Sequence, residues 1–158
     1  IFLEKFTMLD TIDRRILKVL QEDGRITNTE LSDRVSLSAT ATAERMKRLV
    51  REGYIEHFSA SLNPKMVDRG LLVFVEIRLD RTSPEIFDAF KIAVERSTDI
   101  MECHMVAGGF DYLMKSRVKD MEAYRAFLSD VVLALPGVRE THTYAVMEEI
   151  KDTHILPV

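Results

Sequence analysis

The chain has 158 residues, of which 46% are hydrophobic and 30% are charged, so its composition is that of a folded protein and excludes disorder. Its single cysteine, Cys103, excludes an internal disulfide framework and favours a reducing compartment, which we expect to be the cytoplasm. No apolar run approaches the roughly 20 residues that cross a bilayer, so no membrane partner is expected.

The formal charge of −4 is distributed unevenly along the chain. Residues 71–158 contain ten Lys and Arg against fifteen Asp and Glu, a net charge of −5, whereas residues 8–53 contain nine against eight, a net charge of +1. The most basic segment, residues 38–51, carries four cations against Glu44 alone. Four cations on one helix indicate a phosphate-facing surface, and a solvated helix face is the alternative.

Apolar residues at helical spacing predict a first helix, which ends at Asp23-Gly24. Residues 1–7 precede this pattern and are interpreted as an upstream extension. Thr27 and Glu30, three residues apart, form a capping box that begins a short second helix.

A third helix is predicted from Ser38, which can cap it, to Gly53, which stops it. Its basic residues face outward and Thr42 faces the core. Three short helices with a tight turn between the last two form a helix-turn-helix. Residues 54–62, which alternate loosely, supply either a wing-like strand or a connector.

The second half of the chain has a different pattern, so we place a first domain at residues 8–64 and a second at residues 65–158. Ser83-Pro84 and Asp120 each begin a helix between segments rich in β-branched and aromatic residues. The order βαββαβ predicts a ferredoxin-like sandwich of the α+β class, with two helices on one face of an antiparallel sheet. The other face carries apolar residues, which we expect dimerisation to bury. The predicted strands cover residues 71–79, 100–106, 110–118 and 138–150.

The chain resembles the Lrp/AsnC family, also called feast/famine regulators, from Leu9 to about Lys151. The resemblance implies a winged-type helix-turn-helix joined to a βαββαβ sensing domain, dimers and larger rings such as octamers, and a response to an amino acid. It implies a transcription regulator that binds double-stranded DNA and is not an enzyme. The segments that carry it are LDTIDRRIL, DGRITNTELSDRV, ERMKRL, GYI, LVFVEI, ECHMV, GFDY, LPGV and TYAVMEEI.

Three positions depart from the family pattern. Ser36 stands where the family commonly has the glycine of the helix-turn-helix turn, and the third helix opens without the proline often found there. The preferred DNA sequence is therefore expected to differ from that of relatives. Gly109 replaces an acidic residue that is common in the family's Gly-Asp-Phe-Asp turn, which leaves the identity of the effector open.

Short hydroxyl side chains near the start of the third helix, followed by cations one and two turns later, can read base edges and hold phosphates together. We predict groove contacts from Ser38, Thr40 and Arg48. Asn28 and Thr29, at the start of the second helix, either contact phosphate or cap the helix. Backbone contacts are predicted from Arg45, Lys47 and Arg51.

A tight Gly108-Gly109 turn presents backbone N–H groups that can bind a carboxylate, and Asp111 can pair with an ammonium group. Together they suit a free amino acid. The alternative is that these residues form only a hairpin turn. An adaptable apolar wall is predicted from Met105, Met121, Tyr144 and Val146.

The run Glu102-Cys103-His104 suggests a metal site, but neighbours on a strand point to opposite faces, which favours a structural histidine. No metal, catalytic residue or cofactor is expected. An amino-acid-metabolising enzyme with a ferredoxin-like regulatory domain is the second hypothesis, which lacks a catalytic triad, a phosphate loop and a metal cluster in the sequence. The third is an oligomer-forming protein whose first domain binds another protein.

Overall fold

A computed structural model describes residues 8–80 and 83–158, so the interpretation of residues 1–7 lies outside the described part. The chain forms two compact units. One ends at Ser61 and also includes Asp152–Val158, and the other spans Leu62–Lys151. The predicted second domain, residues 65–158, thus differs from the observed unit at the last seven residues, which belong to the first unit.

The first unit contains three helices, α1 (Thr11–Glu22), α2 (Asn28–Val35) and α3 (Ala39–Arg51). Capping boxes begin α1, at Asp10, and α2, at Thr27. Each cap satisfies backbone N–H groups that a helix leaves without an intrahelical partner. Between α2 and α3 the chain turns at Ser36, whose backbone is left-handed with φ 56°. The core of this unit consists of Ile16, Leu17, Leu20, Leu31, Val35 and Leu49.

Residues 54–62 form no strand, so of the two predicted alternatives the structure has the connector. The last residues of the chain, 152–158, belong to the first unit. The Gln21 side chain donates to the Leu156 carbonyl at 3.0 Å and accepts from the Leu156 N–H at 2.7 Å. This pair of hydrogen bonds joins residues 152–158 to helix α1.

The second unit is a four-stranded antiparallel sheet with the order β2-β3-β1-β4. A short 3₁₀ helix, Pro64–Val67, precedes it. The order places β1 and β3 in the middle and β2 and β4 at the edges, which confirms the predicted ferredoxin-like sandwich. The elements are β1 (Leu71–Leu79), α4 (Pro84–Arg96), β2 (Ile100–Met105), β3 (Tyr112–Val118), α5 (Met121–Phe127) and β4 (Val138–Ala145).

The helices cover one face of this sheet. On β1, Val73, Val75 and Ile77 are fully buried beneath the helices, together with Phe90 of α4 and Phe127 of α5. The alternate residues of β1 lie on the opposite face, which we call the open face. This division follows from the period-2 pattern of β1, and it makes the open face available for a ligand or another protein chain.

The structure differs from the predicted elements at the end of α5 and at the end of β4. Helix α5 passes into one wider π turn, Leu128–Val132, which places Val132 in the core. The last strand ends at Ala145 and does not reach Ile150. Beyond it, the Glu149 carboxylate pairs with both terminal nitrogens of the buried Arg117. This ion pair compensates the buried charge of Arg117 and holds the segment that follows β4.

Candidate nucleic-acid interface and ligand site

The start of α3, residues 38–40, is exposed and firmly positioned. Ser38 is the cap of α3, and its hydroxyl oxygen accepts a hydrogen bond from the Ala41 N–H at 3.2 Å. Asn28 donates from its side-chain amide to the Ala39 carbonyl at 2.9 Å, which ties the start of α2 to the start of α3. Thr40 is exposed, whereas Thr42 is fully buried, as predicted. Ser38 therefore caps the helix while its O–H remains a possible donor.

The first two arginines of α3 are paired within their own unit. Arg45 lies 2.8 Å from the Asp13 carboxylate and 2.6 Å from that of Asp10, and Arg48 lies 2.5 Å from Asp13. Asp13 is only 1% exposed, whereas Arg45 and Arg48 are 29% and 21% exposed. These ion pairs hold α3 against α1, and only part of each guanidinium group faces solvent.

The aspartates of this cluster have low pKa values. Burial on its own raises the pKa of Asp13, but hydrogen bonds from Arg48 and Arg45 outweigh burial and bring it below the ordinary value. The backbone N–H of Asp13 and the Arg45 side chain lower the pKa of Asp10 to about 2. Both carboxylates are therefore charged at neutral pH.

The remaining cations of α3 are more exposed. Lys47 is 71% exposed and lies 3.2 Å from Glu44, a surface pair that contributes little to stability. Arg51 is also exposed, and with Lys47, Met46 and Val50 it borders a shallow surface groove. Of the four predicted phosphate-facing cations, Lys47 and Arg51 present the most charge to solvent.

The helical pattern of α1 predicts Asp10 and Asp13 on the solvent face, opposite the apolar residues, and does not indicate that they pair with α3. For Asp13 this placement was wrong. The signal was the Asp-x-x-Asp capping box, which fixes Asp13 at the start of α1. A helix carrying Arg45 and Arg48 one turn apart supplies the partners that such a buried carboxylate requires.

The predicted tight turn at Gly108-Gly109 is wrong, because β2 and β3 are joined by the longer segment of residues 106–111. Neither glycine has a positive φ, which a two-residue turn with glycine at both central positions would require. Both glycines are exposed, and an added Cβ at Gly108 would meet no atom within 4 Å. The segment is therefore an open loop whose backbone is accessible.

Asp111 closes this loop and is held by the sheet. Its carbonyl accepts from Val106 at 3.0 Å, and its N–H donates to the Ile77 carbonyl at 3.0 Å. One carboxylate oxygen, Oδ2, accepts from the Leu79 N–H at 2.8 Å. The predicted hairpin role is thus observed, and the second carboxylate oxygen, Oδ1, is the one that could take a ligand.

The four predicted wall residues do not form one surface in a single chain. Met105 pairs with Tyr112 and so lies on the helix-covered face at the β2 edge. Tyr144 pairs with Phe74 on the open face at the β4 edge, and its hydroxyl donates to Glu76 at 3.0 Å. The two edges are three strand spacings apart, roughly 14 Å. Val146 follows β4, and Met121 begins α5.

The run of residues 102–104 has the alternation that was predicted. Glu102 lies 2.8 Å from Lys115 and 3.3 Å from His104, and all three are on the open face. Cys103 points to the helix-covered face, where burial raises the pKa of its thiol to about 11. Across residues 8–80 and 83–158 no group of three His, Cys, Asp or Glu side chains could hold a metal ion. No helix within those ranges is long and apolar enough to span a membrane.

Comparisons with known proteins cover nearly the whole chain. A family model for a winged helix-turn-helix DNA-binding domain matches residues 9–56, and one for the Lrp/AsnC ligand binding domain matches residues 72–156. The leucine-responsive regulatory proteins of Escherichia coli and Salmonella typhimurium are 54% identical over 150 residues, which are 95% of this chain and 92% of each relative.

Solved structures agree with the sequence comparisons. A transcriptional regulator from Neisseria meningitidis in complex with L-methionine superposes with a TM-score of 0.91 and 36% identity, covering 95% of this chain and 97% of the other. An AsnC family regulator from Agrobacterium tumefaciens superposes with a TM-score of 0.90 and 33% identity, covering 94% and 97%. The similarity includes both units.

Proposed function

Because the chain belongs to the Lrp/AsnC family of transcription regulators, we propose that α3 reads DNA and that the 106–111 loop receives a free amino acid. The chain is a DNA-binding regulator with an effector-binding domain and, like its relatives, is not an enzyme. What remains to be assigned is which residues contact DNA and effector, and which amino acid binds.

The observation that carries the DNA assignment is that Ser38 and Thr40, at the start of α3, are exposed, and that the same helix also exposes Lys47 and Arg51. In a helix-turn-helix the second helix of the motif lies in the major groove, with its N-terminal residues against base edges. Ser38 and Thr40 occupy those positions, and their hydroxyls can donate to or accept from a base. Lys47 and Arg51, farther along α3, contact phosphates.

We assign Arg45 and Arg48 first to positioning α3. Both arginines pair with Asp13, whose side chain is buried. If either arginine turned away to contact DNA, the buried charge of Asp13 would lose a partner. Their remaining N–H groups can still meet a phosphate, because a guanidinium group has five donors. Their contribution to sequence reading is therefore smaller than that of Ser38 and Thr40.

Salt dependence tests the DNA assignment. If a dimer neutralises roughly six phosphates, log K falls with log salt at a slope of about −5. Lys47→Ala removes two contacts per dimer and should reduce the magnitude of the slope by roughly 2. Lys91→Ala in α4 is the control, since Lys91 is a similarly exposed helical lysine with a glutamate neighbour, and it should leave the slope unchanged. A wild-type slope near zero would contradict the assignment.

The effector is proposed to be an amino acid with an apolar side chain. Support comes from the match to the ligand-binding family over residues 72–156, from the similar regulator that is complexed with L-methionine, and from relatives named for their response to leucine. The backbone N–H groups at Gly108 and Gly109 would bind the carboxylate. Asp111 Oδ1 would bind the ammonium group, since Oδ2 is occupied by Leu79.

We propose that a second copy of the chain completes the apolar wall. Met105 and Tyr144 lie at opposite edges of one sheet, so they can line a single ligand only if they come from different copies. Two-fold pairing through the open face would bury its apolar residues, and further pairing would give the rings of the family, such as an octamer. A regulator that binds chromosomal DNA and free amino acids is expected to work in the cytoplasm.

The effector assignment is tested by a thermal-shift screen of the twenty standard amino acids, because a ligand that binds only the folded state raises its apparent stability. Calorimetry with the tightest binder should then show that Asp111→Asn weakens binding about tenfold or more, as expected for the loss of a charge-assisted hydrogen bond. DNA affinity without effector should stay unchanged. Asp88→Asn, on the exposed surface of α4, is the control.

A further inference from the structure

An arginine lies directly beside the effector loop. Arg78, near the end of β1, is 47% exposed, and its Nη2 is 3.9 Å from the position that a Cβ would occupy at Gly109. The residue after it, Leu79, donates its N–H to Asp111. A cation on β1 and the loop anion that Leu79 holds through its N–H therefore lie beside the same stretch of loop.

The charge of Arg78 is only weakly compensated. Its nearest carboxylate oxygen in the structure, on Glu140, is 3.6 Å away, which is beyond hydrogen-bond length. Glu140 also lies 3.0 Å from His142 and 3.8 Å from Arg139, so it is shared among three basic groups. Arg78 thus keeps donors that a further carboxylate could engage.

The residue at position 109 indicates where a carboxylate that binds Arg78 would lie. A side chain at position 109 would begin 3.9 Å from the Arg78 guanidinium, whereas this chain has glycine there. The space beside Arg78 is therefore free of side-chain atoms of residue 109. A ligand carboxylate placed over Gly109 would lie within reach of the Arg78 guanidinium.

We propose that Arg78 is the carboxylate-binding side chain of the effector site, with the ligand carboxylate lying over Gly109 and its ammonium group facing Asp111. The inference rests on the proposed amino-acid effector and adds the residue that selects a free carboxylate. Arg78 can bind it through two parallel N–H···O hydrogen bonds, while the loop N–H groups bind from the backbone side. A cation and an anion beside one loop offer a partner to each of the two charges of an α-amino acid.

The test uses ligands that differ only in the carboxylate. Calorimetry compares L-leucine with L-leucinol, and L-methionine with L-methioninol, because each amino alcohol keeps the ammonium group and the side chain. The full-length wild type should prefer the acid at least tenfold, the value of one charge-assisted hydrogen bond. In Arg78→Gln this preference should fall toward one while the affinity for the alcohol stays the same. Arg78→Lys, which keeps the charge without the planar fork, should lie between the two.

Arg139→Gln is the matched control, since it removes a neighbouring positive charge beside the same Glu140 and should retain the full preference. Gly109→Asp supplies the site with its own carboxylate. It should weaken leucine and methionine binding about tenfold or more, because its carboxylate competes with that of the ligand for Arg78 and repels it. Circular dichroism of each variant verifies that the fold is intact.

The outcomes separate the inference from the proposed function. Binding of both amino acids with an unchanged acid-to-alcohol ratio in Arg78→Gln would overturn the role of Arg78 and leave the amino-acid effector in place. Failure of all twenty amino acids to bind the wild type would overturn the proposed effector class and this inference together. A ratio that collapses in Arg78→Gln and persists in Arg139→Gln would establish it.

Discussion

The two units use their aspartates in contrasting ways. In the DNA-binding unit, Asp13 is almost fully buried and receives Arg45 and Arg48, whereas in the effector-binding unit Asp111 is half-buried and receives one backbone N–H. A buried carboxylate must be neutralised, so the cations that pair with it are less available at the surface. A partly exposed carboxylate can accept a hydrogen bond from the fold with one oxygen and bind a ligand with the other. Charge counted along a sequence therefore overstates what α3 offers to DNA.

The largest expected effect tests the buried side of this contrast. Asp13→Asn removes the charge that compensates Arg45 and Arg48 and should lower the free energy of unfolding by about 3 kcal/mol. This value is at the low end for a broken buried pair because both arginines keep some solvent access. Urea denaturation measures it. Asp10→Asn, at a half-exposed partner of Arg45, should destabilise the protein far less, and equal losses would contradict the contrast.

The same cluster predicts acid sensitivity of the DNA-binding unit. The folded pKa of Asp13 is below its ordinary value near 3.8, and that of Asp10 is about 2, so both carboxylates bind protons more readily after unfolding. Their stabilisation is fully present above pH 4 to 5 and is lost as the pH falls through the folded pKa values, toward pH 2. The difference in stability between wild type and Asp13→Asn should shrink over this window. A difference that stays constant down to pH 2 would show that folding does not lower the pKa of Asp13.

Much of the fold follows from local signals in the sequence. Thr42 was placed in the core from its position on α3, and the βαββαβ order follows from β1 and the two capped helices, because these signals lie within a few residues of each other. The features that were not predicted depend on partners that are distant in the sequence. Asp13 requires residues 45 and 48, the segment that follows β4 is held by Arg117, and Arg78 meets Gly109 only through the pairing of β1 with β3. Hydrophobic periodicity carries no information on which charged side chains meet across elements.

The exposed side of the contrast gives a smaller effect. Asp111→Ala leaves the partly buried Leu79 N–H without its carboxylate and should reduce the stability of the effector-binding unit by about 2 kcal/mol. Asp111→Asn keeps an acceptor oxygen and should cost less than about 1 kcal/mol. Thermal or urea unfolding compares them, and Cys103, the single cysteine of the chain, reports on this unit through its protection from alkylation. Equal costs for the two variants would mean that Asp111 stabilises the loop by its charge alone.

The smallest expected effect concerns backbone strain at the two non-glycine residues with positive φ in the described chain, one in each unit. Ser36 (φ 56°) ends α2 in the helix-turn-helix turn, and Asp68 (φ 55°) ends the 3₁₀ helix before β1. The left-handed conformation costs an ordinary residue about 1–2 kcal/mol, and glycine removes this cost but loses about 0.4–1 kcal/mol to the greater freedom of the unfolded chain. Ser36→Gly, which restores the family's usual residue, should therefore stabilise the protein by about 0.5–1 kcal/mol. Asp68→Gly should be close to neutral, because aspartate tolerates this conformation better than serine does.

Urea midpoints at an unchanged denaturant slope measure both changes. A Ser36→Gly variant no more stable than wild type, or a larger gain at Asp68, would show that backbone strain in the helix-turn-helix turn is already relieved by contacts of the serine side chain.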